Sequence, residues 1–236
     1  MKTIGMIGGM SWESSVVYYQ LVNQKVKALL GGFHNCPNIM YTVDFAEIER
    51  LQREGNWKVM DTIMADAAKR LEHAGADIVI LCTNTMHLCS DAIRASVAIP
   101  FLHIAEATAG VIVTQKLTKV ALLGTRFTME QSFYQNILTD KYGIEVVIPT
   151  ETEKGQIHDI IYNELVQGEI KDQSRKIYQE IIARLANEGA QGVILGCTEI
   201  PLLIQQSHVT IPVFDTTKIH AEKAVEWALD RHIIRD

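Results

Sequence analysis

The chain has only four cysteines, Cys36, Cys82, Cys89 and Cys197, and no two of them form a CxxC pair. Without a dense cysteine framework they read as reduced thiols of a cytoplasmic protein. Cys82, His87 and Cys89 have poor spacing for a structural zinc site and no second pair completes them, so no metal is expected. No apolar run reaches the roughly 18 residues of a membrane span. The opening MKTIGMIGGMSW has no charged leader, long apolar core or cleavage site of a signal peptide. Clusters of Lys and Arg are missing too, and the net charge is −6. Nucleic acid is therefore excluded as the main partner. An anionic small molecule is not, because a few local backbone donors outweigh a weak overall charge. The Gly-rich segment IGMIGGMSWES (4–14) fits neither GxGxxG nor GxxxxGK[ST], which removes a dinucleotide site and a P-loop. It still offers a turn with backbone donors suited to a carboxylate, at Met10 and Ser11.

The 236 residues are 47% hydrophobic and 21% charged, an ordinary globular composition. Short apolar runs at 3–8, 38–43, 77–82, 119–124, 144–148, 191–196 and 211–214 predict strands. Met60, Ile63, Met64, Ala67 and Leu71 share one helical face, as do Ile177, Ile181, Ile182 and Leu185. Strands alternating with amphipathic helices imply βαβ units and mostly parallel sheets.

An internal repeat is the most informative global feature. RLEHAGADIVILCT (70–83) matches RLANEGAQGVILGC (184–197), which sets Thr83 opposite Cys197. TIGMIGG (3–9) pairs with KVALLGT (119–125), and VAIPFLHI (97–104) with VTIPVFDT (209–216), in the same order at nearly the same offset. The expectation is an α/β fold of two pseudo-symmetric Rossmann-like domains. The first takes 1–98 plus 215–236 and the second 99–214, each Ile-Pro step marking a crossing. Ligands of open parallel sheets bind beyond the carboxyl ends of the strands. An interdomain cleft bordered by 8–11, 82–87, 124–128 and 196–199 is therefore expected to hold the site.

Both repeats end a strand in a small polar cluster, LCTNTMH (81–87) and LGCTEIP (195–201). A cysteine there, ahead of an apparent helix start, is expected to have its thiol pKa lowered by the helix N–H groups. A free cysteine is by default a small buried hydrophobe, but the small or polar neighbours Gly196, Thr198 and Glu199 favour an active Cys197. Asn84 and Thr85 offer an amide and a hydroxyl for an ammonium or carboxylate, although either alone is more often a helix cap. Gln52, at another strand-to-helix edge, joins the candidate binding set. Arg50 at the same edge stays open between that set and solvated surface, and Cys36 reads as incidental.

GGMSWES, VDFAEIE (43–49), the strand-end CTNT cluster, GTxxT at 124–128 and GCTEIP together resemble the aspartate/glutamate racemase superfamily. The resemblance covers essentially the whole chain and lies in the aspartate-racemase branch, nearest the L-aspartate/glutamate-specific racemases. It implies an isomerase with two Rossmann-like halves, no pyridoxal phosphate or other cofactor, no metal, and a homodimer acting on a small amino acid. It also implies substrate contacts at Met10, Ser11, Gln52, Asn84, Thr85, Thr125, Thr198 and Glu199. Members of the superfamily usually carry one cysteine per half, on opposite faces of the substrate α-carbon. The second of these matches Cys197. The first aligns with Thr83, and Cys82, one residue earlier on an extended strand, points to the other face. An alcohol is far too weak an acid to be held as a base at neutral pH, so Thr83 serves as a proton donor or positions a water.

The resemblance thus implies racemisation of L-aspartate or L-glutamate with Cys197 acting on the L-enantiomer. Three other readings compete. A broad-specificity amino-acid racemase would differ in its pocket. An arylmalonate-type decarboxylase would also use only the second-half cysteine, but GCTEIP and Asn84-Thr85 favour an amino acid. A non-catalytic amino-acid sensor would bind ligand and exchange no α-proton.

Overall fold

A computed structural model of the protein describes residues 1–229. In chain order the elements are β1 (Ile4–Gly8), α1 (Trp12–Leu30), β2 (Asn38–Thr42), α2 (Phe45–Arg53), α3 (Trp57–His73), β3 (Ile78–Leu81), α4 (Ser90–Ser96) and α5 (Ile104–Thr114). They continue as β4 (Lys119–Gly124), α6 (Arg126–Glu130), α7 (Ser132–Asn136), β5 (Glu145–Val147), α8 (Glu151–Asn163), α9 (Asp172–Asn187), β6 (Val193–Gly196), α10 (Ile200–Leu203), β7 (Val213–Asp215) and α11 (Thr216–Ala228). A 3-10 turn at Thr85–Cys89 precedes α4. The described residues form two compact units: 1–104 with 220–229, and Ala105–Ile219. Of the terminal segment expected at 215–236, residues 230–236 lie outside the described residues.

The first unit is built on a parallel sheet in the order β2-β1-β3. A parallel sheet is covered on both faces, so its strands are apolar without interruption; IGMIG and IVIL are buried at every position. The strand period of two then sorts the residues. Ile7, Val79 and Leu81 pack with Ile48, Leu51, Met60, Met64 and Leu71 of α2 and α3. Ile4, Met6, Ile78, Ile80 and Cys82 pack on the other face with Tyr18, Val22 and Val26 of α1 and with Ala221, Ala224 and Val225 of α11.

The second unit repeats this plan with one more strand, in the order β5-β4-β6-β7 and parallel throughout. Ala121, Leu123, Val193 and Leu195 face Ile157, Ile161, Tyr178, Ile181 and Leu185 of α8 and α9. The extra strand has a vestige in the first unit, where Val79 makes an isolated parallel bridge to Phe101. That bridge stands where Val193 pairs with Val213 in the repeat. The Ile-Pro steps therefore do not mark crossings, contrary to expectation. Proline disfavours helix only in the residue before it, and the extended residues that follow each step stay with their own sheet. The chain passes between units only after Ile104 and again after Ile219.

Three buried histidines fasten the end of the first unit. His220 accepts a hydrogen bond from the Tyr18 hydroxyl at Nδ1 (2.8 Å), so its other nitrogen donates to Leu102 O (2.9 Å). The rings of His103 and His220 lie 4.5 Å and 5.6 Å from that of His87. Burial, only partly opposed by the bond to Leu102, pulls the His220 pKa down to about 4.

Two outcomes are expected of this packing. A methyl at Gly5 would lie 2.8 Å from Ala76 Cβ and 3.1 Å from Ile78 O. Gly5→Ala should therefore cost about 1–3 kcal/mol in urea denaturation, and an unchanged midpoint would show that the sheet yields there. The second concerns pH. His220 is neutral in the fold and titrates near 6.5 when unfolded, so the unfolded chain takes up protons first as pH falls. Its stabilising contribution is complete above that pH and declines by roughly 3 kcal/mol down to about pH 4. His87 shifts in the same direction. Denaturation at pH 7.5 and 4.5 should give a shallower pH dependence for His220→Gln than for the wild type; equal slopes would contradict the assignment.

Candidate active site

In the first unit the sheet carries β3 outward to a polar turn. The Cys82 N–H still donates to Ile7 O (2.9 Å), extending the pairing one residue past the strand. Alternation then decides which side chain goes where. Cys82 is fully buried among Met6, Tyr18 and Ile80, and burial pushes its thiol far up. Thr83, next along, is half-buried. His87 holds the turn that follows: its Nδ1 lies 2.8 Å from Thr83 O, and its backbone N–H donates to Asn84 O (3.1 Å). Asn84 is 4% exposed and its side chain does not cap the 3-10 turn, while Thr85 is half-buried. Gln52 of α2 reaches the same turn, its Nε2 3.1 Å from the Met86 sulfur.

Two other expected contacts have structural duties. Met10 is buried in the cluster of Ile7, Leu51 and Met86, which leaves its backbone as the part able to meet a ligand. Ser11 is the N-cap of α1; its hydroxyl accepts the Ser14 N–H at 3.4 Å.

In the second unit β4 and β6 end together, Gly124 opposite Gly196. Any Cβ at Gly196 would meet Thr128 Cγ2 at 2.8 Å and Leu123 O at 3.1 Å, so both strand ends need a residue without a side chain. Thr125 caps α6 by accepting the Thr128 N–H (3.3 Å).

Cys197 follows Gly196 and is half-buried. Its thiol donates to Glu199 Oε2 at 2.8 Å, and the Thr198 hydroxyl donates to the same oxygen at 2.7 Å. The thiol pKa is raised well above its ordinary value, by burial first and then by the neighbouring Glu199. The N–H groups of Thr198 and Glu199 act the other way and are outweighed. This reverses the expectation of a thiol lowered by a helix start. Residues Ile200–Leu203 make a single turn, too short to build a helix dipole, and a carboxylate stands against the sulfur instead. The pairing of Glu199 with Cys197 was missed in the sequence, where Glu199 reads as a substrate contact. Its one signal is the two-residue spacing in GCTE.

No metal site assembles among the described residues, where no three His, Cys, Asp or Glu side chains gather suitably. Cys82 and Cys89 belong to core clusters on opposite faces of the sheet. Arg50 pairs with Glu54 on the exposed side of α2.

Known proteins resemble this chain along its full length. A crystal structure from Yersinia pestis, provisionally named as an Asp/Glu racemase, is 50% identical, covers 98% of this chain and all of its own, and superposes with a TM-score of 0.94. The structure of an aspartate racemase homologue from Pyrococcus horikoshii OT3 is 37% identical over 98% of this chain and 100% of that one, with a TM-score of 0.86. A broad-specificity amino-acid racemase from Bacillus subtilis strain 168 is 23% identical over 96% of this chain and 98% of its own length. The sequence pattern of the Asp/Glu/Hydantoin racemase family matches residues 7–224. The chain belongs to the Asp/Glu/Hydantoin racemase family and is an isomerase.

Proposed function

We propose that the protein racemises an acidic amino acid, L-aspartate or L-glutamate, without a cofactor, using Cys197 as the base for the L-enantiomer and Thr83 in place of an opposing cysteine. The observation that carries this reading is the thiol of Cys197 at a strand end, 2.8 Å from Glu199 Oε2. A protonated thiol is no base. Passing its proton along the existing hydrogen bond gives a thiolate and a protonated Glu199. The thiolate then takes the substrate α-proton, leaving a carbanion and restoring the thiol. A proton delivered from the opposite face completes inversion. Thr83 relays that proton from a water through its hydroxyl, or orients the water that gives it, so no threonine alkoxide is left; the hydroxide formed takes up the proton held by Glu199 through solvent, which resets the site.

Asn84, Thr85 and Gln52 belong to the same turn region as Thr83 and serve the substrate's polar groups in this scheme, as does the backbone of Met10 and Ser11. Thr125 and Thr198 complete the binding set. A homodimer in the cytoplasm, where four free cysteines stay reduced, is part of the same reading. Aspartate and glutamate differ by one methylene, worth only about 1–3 kcal/mol in a pocket. The Bacillus subtilis relative favours a second reading, a broad-specificity amino-acid racemase. A panel of amino acids, acidic and neutral, separates the two.

The test is α-proton exchange in deuterium oxide, followed by NMR with L- and D-aspartate separately. The wild type should exchange the L-enantiomer readily and the D-enantiomer slowly. Cys197→Ser should keep fold and binding and lose at least about 100-fold in rate, the scale of a missing general base. Thr83→Cys should speed exchange from the D side, and Thr83→Ala should slow net inversion more than L-side exchange. Near-normal turnover by Cys197→Ser, or equal exchange of both enantiomers unaltered by Thr83→Cys, would overturn the scheme.

A further inference from the structure

His87 is fully buried and lies outside the chemistry assigned to Cys197 and Thr83. Its two ring nitrogens have different partners. The Ile104 N–H donates to Nε2 at 3.2 Å, so that nitrogen carries a lone pair. The proton therefore sits on Nδ1, which donates to Thr83 O at 2.8 Å. The ring is neutral in this arrangement, and burial followed by repulsion from His103 and His220 lowers its pKa accordingly. Phe101, His103 and His220 pack around the ring and leave it one orientation. The Ile104 N–H begins α5 and lacks a partner within the helix, so the same ring caps α5 and grips the turn at Thr83.

We propose that His87 is the positioning residue of the donor turn, its Nδ1–H fixing the Thr83 carbonyl while Nε2 holds the start of α5. The backbone bond from His87 N–H to Asn84 O closes the same loop from the other side. Thr83 and Asn84 are thus held by their carbonyls through one residue, which fixes the backbone from which their side chains project. His220 secures the neighbouring link by donating to Leu102 O. Consecutive segments of the chain around 102–104 are therefore pinned by histidines of fixed tautomer. A ring that flipped, or carried its proton on Nε2, would lose both bonds together, because neither partner could then be served.

This inference rests on the reading of Thr83 as the returning donor, and the experiment separates the two. His87→Asn keeps an amide N–H near the Nδ1 position and can still serve Thr83 O; His87→Gln reaches the Nε2 position and can serve only Ile104. For each, L-side exchange in deuterium oxide is compared with net inversion of L-aspartate. His87→Gln should lose inversion by tenfold or more with L-side exchange and KM within about threefold. His87→Asn should keep the wild-type ratio of inversion to exchange. Parallel loss of both rates in both variants would mean a purely structural role and overturn the proposal. A wild type that exchanges the L-enantiomer and shows no dependence of inversion on Thr83 would sink the reading of Thr83 instead. Should the variants fail to fold, nitrogen-15 NMR of the wild-type ring decides: a neutral ring protonated at Nδ1 supports the proposal, and one protonated at Nε2 rejects it.

Discussion

Parallel strands buried on both faces have no room for chemistry along their length, and the polar residues of the candidate site stand where the buried strands stop. IVIL and VILG are buried throughout, and reactive groups begin only with the residues after them. The period of two then sets their exposure. In the first unit it turns Cys82 into the core and brings Thr83 out of it; in the second, the repeat offers Cys197 after a glycine with no space for a side chain. One backbone rule thus makes one strand-end thiol inert and leaves the other half-buried.

The half-buried thiol is not a ready thiolate. Burial and Glu199 both favour its protonated form, and the short turn after it cannot compensate. A thiol and carboxylate sharing one proton form a pair that can give or take it. In the racemisation proposed above, such a pair lets Cys197 take a proton in one direction and give it in the other, as microscopic reversibility requires. Thr83 has no such partner among its described contacts, its carbonyl being committed to His87. The two strand ends therefore differ in acidity although they descend from one repeat.

Much of this was legible in the amino-acid sequence. The seven strands among the described residues lie where the apolar runs placed them, and the repeat announced two similar units. Three features were not readable. The crossings lie beyond Pro100 and Pro212, since extended residues after proline remain paired with their own sheet. Glu199 turns toward Cys197 because it follows the strand in helical backbone, where alternation no longer tells which way a side chain points. The tautomer of His87 depends on the Ile104 N–H, seventeen residues away, and no local pattern reports it.

Cys197 rests as a thiol, held so first by burial and then by Glu199. The pH dependence of its alkylation by iodoacetamide, read by mass spectrometry on the peptide containing Cys197, tests this directly. Alkylation should be slow at neutral pH, with an inflection above the roughly 8.5 of a free cysteine and a downward shift of that inflection in Glu199→Gln. An inflection below the free value in the wild type, unmoved by Glu199→Gln, would contradict it.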